Sequence, residues 1–92
     1  MTEKYDVAIK VMTQKGTCTA GHKVGDEWVI RGKDNKTPEG ICLPALTALY
    51  PFVRPLMFGA SFSWANTLDS AQVACPDAGN PVVFELRRLQ NK

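Results

Sequence analysis

The residues of this 92-residue chain best suited to bond-forming chemistry are its three cysteines and its one histidine. Cys18 and His22 are separated by three residues, whereas Cys42 and Cys75 lie far off in sequence. A Cys-x3-His spacing lets two ligands from one loop reach a common tetrahedral ion. Cys42 and Cys75 would complete a Cys3His set suited to zinc or iron. The glycines around the pair let that loop wrap around an ion. No Cys-x2-Cys knuckle, the strongest zinc spacing, accompanies them. The opposing reading is that the thiols are small buried hydrophobes and that His22 bonds to a loop carbonyl.

Other chemistry is open to the same residues. Cys42 falls where a helix begins, and the unpaired amides and helix dipole there favour a thiolate. With His22 as base and Asp26 or Asp77 orienting it, Cys42 or Cys75 would serve a small cysteine-dependent enzyme acting on a small organic substrate. Helix capping and packing explain Cys42 more simply. Trp28, Phe58, Phe62 and Trp64, with Asp26 and Asp77 beside them, would line a pocket for a flat organic ligand. Such aromatics otherwise form the core of a small domain. Asp26 reads equally well as a cap for the loop before a strand, and Asp77 as part of the turn "CPDAGNP". Adjacent Asp26 and Glu27 point to opposite faces of a strand and are no hydrolytic carboxylate pair. "GTCTAG" lacks the lysine and following helix of a phosphate loop.

The elements that must position these groups follow from periodicity. In "YDVAIKVM", Tyr5, Val7, Ile9 and Val11 alternate with Asp6, Ala8, Lys10 and Met12, the period of a strand with one inward face. A glycine-rich loop follows, then a strand "EWVIR" with Trp28 and Ile30 on one side and Val29 on the other. "GKDNKTPEG" is a surface connection. Pro44 is tolerated only in a first helical turn, so a helix starts at or just before Leu43, with Leu43, Leu46, Leu49 and Tyr50 as its buried face. Pro51 disfavours helical geometry at Tyr50 and predicts a break, then a second short helix over "PFVRPLMF" ending at Gly59. The next segment is irregular, with one short strand around Val73. "VVFELRRL" closes the chain as a strand with Val82, Phe84 and Leu86 on one face. The expected fold class is α+β: a small antiparallel sheet with a short helix pair packed on one face.

Length predicts a single domain over residues 1–92, because so short a chain supports one core. Eleven Lys and Arg against nine Asp and Glu leave a formal net charge of +2, and the basic residues are scattered. That pattern argues against nucleic acid as a partner. Between Ile41 and Ala65 the only charge is Arg54, yet Pro44, Pro51 and Pro55 interrupt the run, so core burial or a subunit contact is expected rather than a membrane. Glu3 and Asp6 spoil any secretory signal, and an odd cysteine count suits a cytoplasmic protein. A homodimer through the apolar helices, and a small-molecule ligand, complete the expected partners.

"GHKVGDEWVI", "TPEGICLPALTALYPFV", "FGASFSWA" and "ACPDAGNPVVFELRR", in this order, resemble a family of small prokaryotic proteins of about this length and of unknown function. The resemblance runs from Val7 to Arg88. It implies that Cys18, His22, Gly25, Asp26, Pro38, Gly40, Cys42, Pro51, Trp64, Cys75, Pro76 and Asp77 occupy the family's motif positions. It implies no particular activity. The reading reached from the residues is a small cytosolic binding or accessory protein, holding one transition metal through Cys18, His22, Cys42 and Cys75. The alternatives are the cysteine-dependent enzyme and an interaction module without ligand.

Overall fold

Alternation along the first strand carries straight into the structure, a computed structural model that describes residues 5–16, 21–34 and 36–89. Strand β1 (Val7–Gln14) buries Val7, Ile9 and Val11 completely, and its β-branched side chains suit the pleat. Strand β2 (Glu27–Ile30) turns Trp28 and Ile30 inward and leaves Val29 exposed. After helix α1 (Leu43–Met57) come β3 (Ser70–Ala74) and β4 (Val82–Arg88), which buries Val82, Phe84 and Leu86. The strands form one antiparallel sheet in the order β2-β1-β4-β3. Ile9 lies opposite both Trp28 and Leu86, and Val11 opposite Phe84, so the inner faces of neighbouring strands line up in rows. A register shift between Val11 and Thr13 inserts one extra residue into β1.

The expected helix pair is corrected to one continuous helix. Leu43–Met57 runs through Pro51 and Pro55 without a break. Pro51 deprives the Thr47 carbonyl of its partner, but Pro51 and Thr47 are both exposed, so water can replace the lost bond. The energy that holds the helix together comes from its other face, where Ala45, Leu49, Val53, Leu56 and Met57 are buried. The expected buried face is corrected too: Leu43 is 74% and Tyr50 53% exposed, and only Leu49 of the four anticipated residues is buried. The stripe of residues 45, 49, 53 and 56 follows helical spacing on both sides of Pro51, which is why packing overrides the local preference for a break.

Gly59, at φ +92°, ends the helix in a left-handed turn. Its amide bonds to the Leu56 carbonyl and that of Ala60 to the Pro55 carbonyl, a Schellman arrangement. The backbone of the helix lies close to β3, β4 and β1 and farther from β2, whose Ile30 joins the same core. One helix is narrower than four strands, so the Trp28 end of the inner face of β2 is covered by a loop residue, His22. Among the described residues no helix is long and apolar enough to cross a membrane.

Candidate functional site

His22 comes from the loop before β2 and is buried, with 5% of its surface exposed. Its ring meets Trp28 edge-on at 4.9 Å and Phe84 at 6.3 Å, so it covers the inner face of β2 at one end. Its Nε2 accepts a hydrogen bond of 3.1 Å from the amide of Cys42. Cys42 is the N-cap of α1 and makes no side-chain cap of its own. His22 therefore does from across the fold what the glutamate of a capping box does locally, accepting from the N-cap amide. Because Nε2 is the acceptor, the neutral ring carries its proton on Nδ1.

This contact answers part of what the cysteine and histidine pattern raised. It brings His22 and Cys42 together, but through the main chain of Cys42. Cys75 packs against the core, and its Sγ accepts the Val82 amide at 3.3 Å, a turn contact beside the Cys75 to Val82 backbone bond. Cys18 lies outside the described residues. Among the described residues no group of three or more His, Cys, Asp or Glu side chains is placed to hold a metal. Cys42 and Cys75 are unpaired thiols, both partly buried.

The two aspartates stand in turns. Asp26 accepts from the Lys23 amide at 3.0 Å, and its own amide bonds back to the Lys23 carbonyl. Asp77 accepts from the amides of Gly79 and Asn80, each at 3.1 Å. The aromatic residues fall in three places rather than lining one pocket. Trp28 belongs to the His22 and Phe84 cluster. Phe62 and Trp64 stack at 5.1 Å with Phe52 edge-on to both, and Phe58 sits beneath the Arg54 guanidinium at 5.0 Å.

Two concavities emerge that spacing did not indicate. The first is a cleft of about 300 Å³ between α1 and β2, where the buried Ile30, Val53 and Met57 form the base, Leu46 and Tyr50 an apolar wall, and Lys36, Thr37 and Arg54 the polar rim. Arg54 also donates to the Met57 sulfur at 3.6 Å. Its isolation as the only charge between Ile41 and Ala65 was the one sequence signal for this place. The second is a trough of about 440 Å³ on the outer face of β3 and β4, walled by Trp64 and lined by Gln72, Glu85 and Arg87.

Arg87 in that trough donates to Glu85 at 3.0 Å and to Asp69 at 3.3 Å. The hydrogen bond and charge of Glu85, with Asp69 beyond, hold the guanidinium above its usual pKa. The Thr67 hydroxyl, aided by Arg87 and Arg88 and opposed by slight burial, holds the Asp69 carboxyl below the usual carboxylate value of 3.8. Comparison with known proteins finds no family model, no curated protein and no solved structure that matches this chain.

Proposed function

We propose that this chain is a small binding protein that takes an amphipathic organic anion into the cleft between α1 and β2. The observation behind this reading is the cleft between α1 and β2, where the apolar side chains of Leu46 and Tyr50 stand beside one ammonium and one guanidinium. Apolar walls drive binding by releasing water, and a few polar groups at the mouth set orientation. A carboxylate or sulfonate head between Lys36 and Arg54 gains charge-assisted hydrogen bonds, and its tail lies against Leu46 and Tyr50.

Anilinonaphthalene sulfonate, an amphipathic anion that fluoresces when shielded from water, tests the reading. The expected result is saturable binding that octanoate displaces. The pair Lys36→Gln and Arg54→Gln weakens it by about tenfold, the scale of one charge-assisted bond. Leu46→Trp fills the cleft and abolishes it. Unchanged dye binding by Leu46→Trp, or displacement by octylamine as readily as by octanoate, overturns the reading.

A transition-metal reading of Cys18, His22, Cys42 and Cys75 draws its support from the contact of His22 with Cys42. Ligation through Nε2 would displace the Cys42 amide, and ligation through Nδ1 would move the ring proton to Nε2, so a metal at His22 takes the place of that hydrogen bond. Elemental analysis of protein purified without added metal decides it. Stoichiometric zinc or iron that is lost on Cys75→Ser supports the centre, and metal-free protein removes it. A cytosolic homodimer joined through exposed apolar residues of α1, led by Leu43, completes the proposal. Light scattering that reports a monomer at working concentration removes the dimer.

A further inference from the structure

We propose that the trough on the outer face of β3 and β4 is a second, separate binding site, for a neutral saccharide that stacks on Trp64. The first support is the way Trp64 is held. Phe62 stacks on it with the ring planes 27° apart, and Phe52, anchored on α1, meets it edge-on at 5.8 Å. Trp64 nevertheless keeps 55% of its surface exposed and forms a wall of the trough. An aromatic ring already fixed by its neighbours loses little conformational freedom when a ligand stacks on it. Its flat apolar surface beside a wet, polar floor suits a molecule that has one apolar face and many hydroxyls.

The second support is the chemistry of the floor. Asn66 and Gln72 each offer an amide donor and acceptor, and Glu85 and Arg87 present planar forks, while the Thr67 and Ser70 hydroxyls bond to each other at the trough's edge. Vicinal hydroxyls of a pyranose both donate and accept, and match such groups in pairs. The third support is charge. Arg87 is paired with Glu85 in the trough and with Asp69 beside it, so an anionic ligand would face the Glu85 carboxylate and a cationic one the guanidinium. A neutral ligand meets neither penalty. The ion pairs also hold Arg87 in place. The volume, about 440 Å³, falls within the range of small-molecule sites. The site is distinct from the α1–β2 cleft, whose lining residues it does not share.

The test uses the Trp28→Phe chain, which leaves Trp64 as its only tryptophan, titrated with cellobiose, maltose and diacetylchitobiose while Trp64 emission is followed. The expected result is a saturable shift with at least one of these sugars, on the order of millimolar affinity. Gln72→Ala abolishes the shift without moving the unfolding midpoint, Glu85→Gln also abolishes it, and Lys36→Gln leaves it unchanged. A saturation-transfer signal on the sugar that disappears in Trp64→Ala gives a readout independent of fluorescence. Absence of saturation with all three sugars overturns the proposal. So does a shift that survives Gln72→Ala, a shift lost in Lys36→Gln, or stronger binding of adenosine than of any sugar.

Discussion

The two ends of α1 are tied to the rest of the molecule by opposite chemistry. At the N-terminal end a buried imidazole accepts from the Cys42 amide. At the C-terminal end the Arg88 guanidinium donates to the Leu56 carbonyl at 3.0 Å, the Ala60 carbonyl at 2.8 Å and the Leu68 carbonyl at 3.2 Å, and lies 5.4 Å from the centre of the Tyr5 ring. The difference follows from the helix itself: its first turn has spare N–H groups and needs an acceptor, and its last turn has spare carbonyls and needs donors. The macrodipole adds to it, since a cation is favourable only at the carbonyl end and a neutral ring is the better tie at the amide end. A helix that carries two internal prolines is thereby secured at both termini by residues distant in sequence.

Breaking the C-terminal tie has the largest expected effect. Arg88→Ala loses three charge-assisted bonds and the stacking contact, and urea unfolding should show about 3 kcal/mol of destabilisation, each such bond contributing roughly 1 kcal/mol when part-exposed. Arg88→Lys should recover less than half, because an ammonium cannot span three carbonyls as a planar fork does. At the other end, His22→Ala leaves the Cys42 amide without its acceptor and opens a void beside Trp28 and Phe84, for about 2 kcal/mol. His22→Gln should restore part of it, and equal loss from both variants would show that packing rather than the hydrogen bond matters there.

Between the ends, Pro51→Ala sharpens the comparison. It returns an N–H to the Thr47 carbonyl and removes a ring that crowds the helix, while freeing the unfolded chain. The net expectation is about 1 kcal/mol of stabilisation, seen as a higher unfolding midpoint. The smallest effect concerns Asp69, which helps hold the Arg88 end through its backbone carbonyl. Its carboxyl titrates below 3.8 in the folded protein. A depressed folded value means that its contribution is present above the unfolded value and is lost as pH falls through the folded one. Asp69→Asn should therefore cost stability at neutral pH, under about 0.5 kcal/mol for so exposed a group, and nothing at strongly acid pH. A difference that persists in acid would trace it to the Thr67 hydrogen bond instead.

Much of the sheet was legible from alternation. Val7, Ile9 and Val11, Trp28 and Ile30, and Val82, Phe84 and Leu86 each mark an inner face, because a strand's period of two holds whatever its neighbours are. The start of α1 at Leu43 and its end at Gly59 followed from Pro44 and from a glycine free to turn left-handed. The continuity of the helix was not legible at Pro51, because proline's local preference points to a break there. The stripe Ala45, Leu49, Val53 and Leu56 held the better signal. The partner of His22 was not legible, since a main-chain amide twenty positions away leaves no mark on residue types. Nor was the role of Arg88, whose acceptors are all backbone carbonyls.

What the sequence by itself determined is the strands with their inward faces and the two ends of the helical segment, for these depend on the period of two and on the geometry of proline and glycine, which are local. The tertiary structure alone decided that one helix covers three of four strands, that His22 and Arg88 secure its ends, and that a cationic cleft and a Trp64-walled trough remain open. Each of these depends on how wide a helix is beside a sheet and on which backbone groups lack partners, and both are settled only when the elements are packed together.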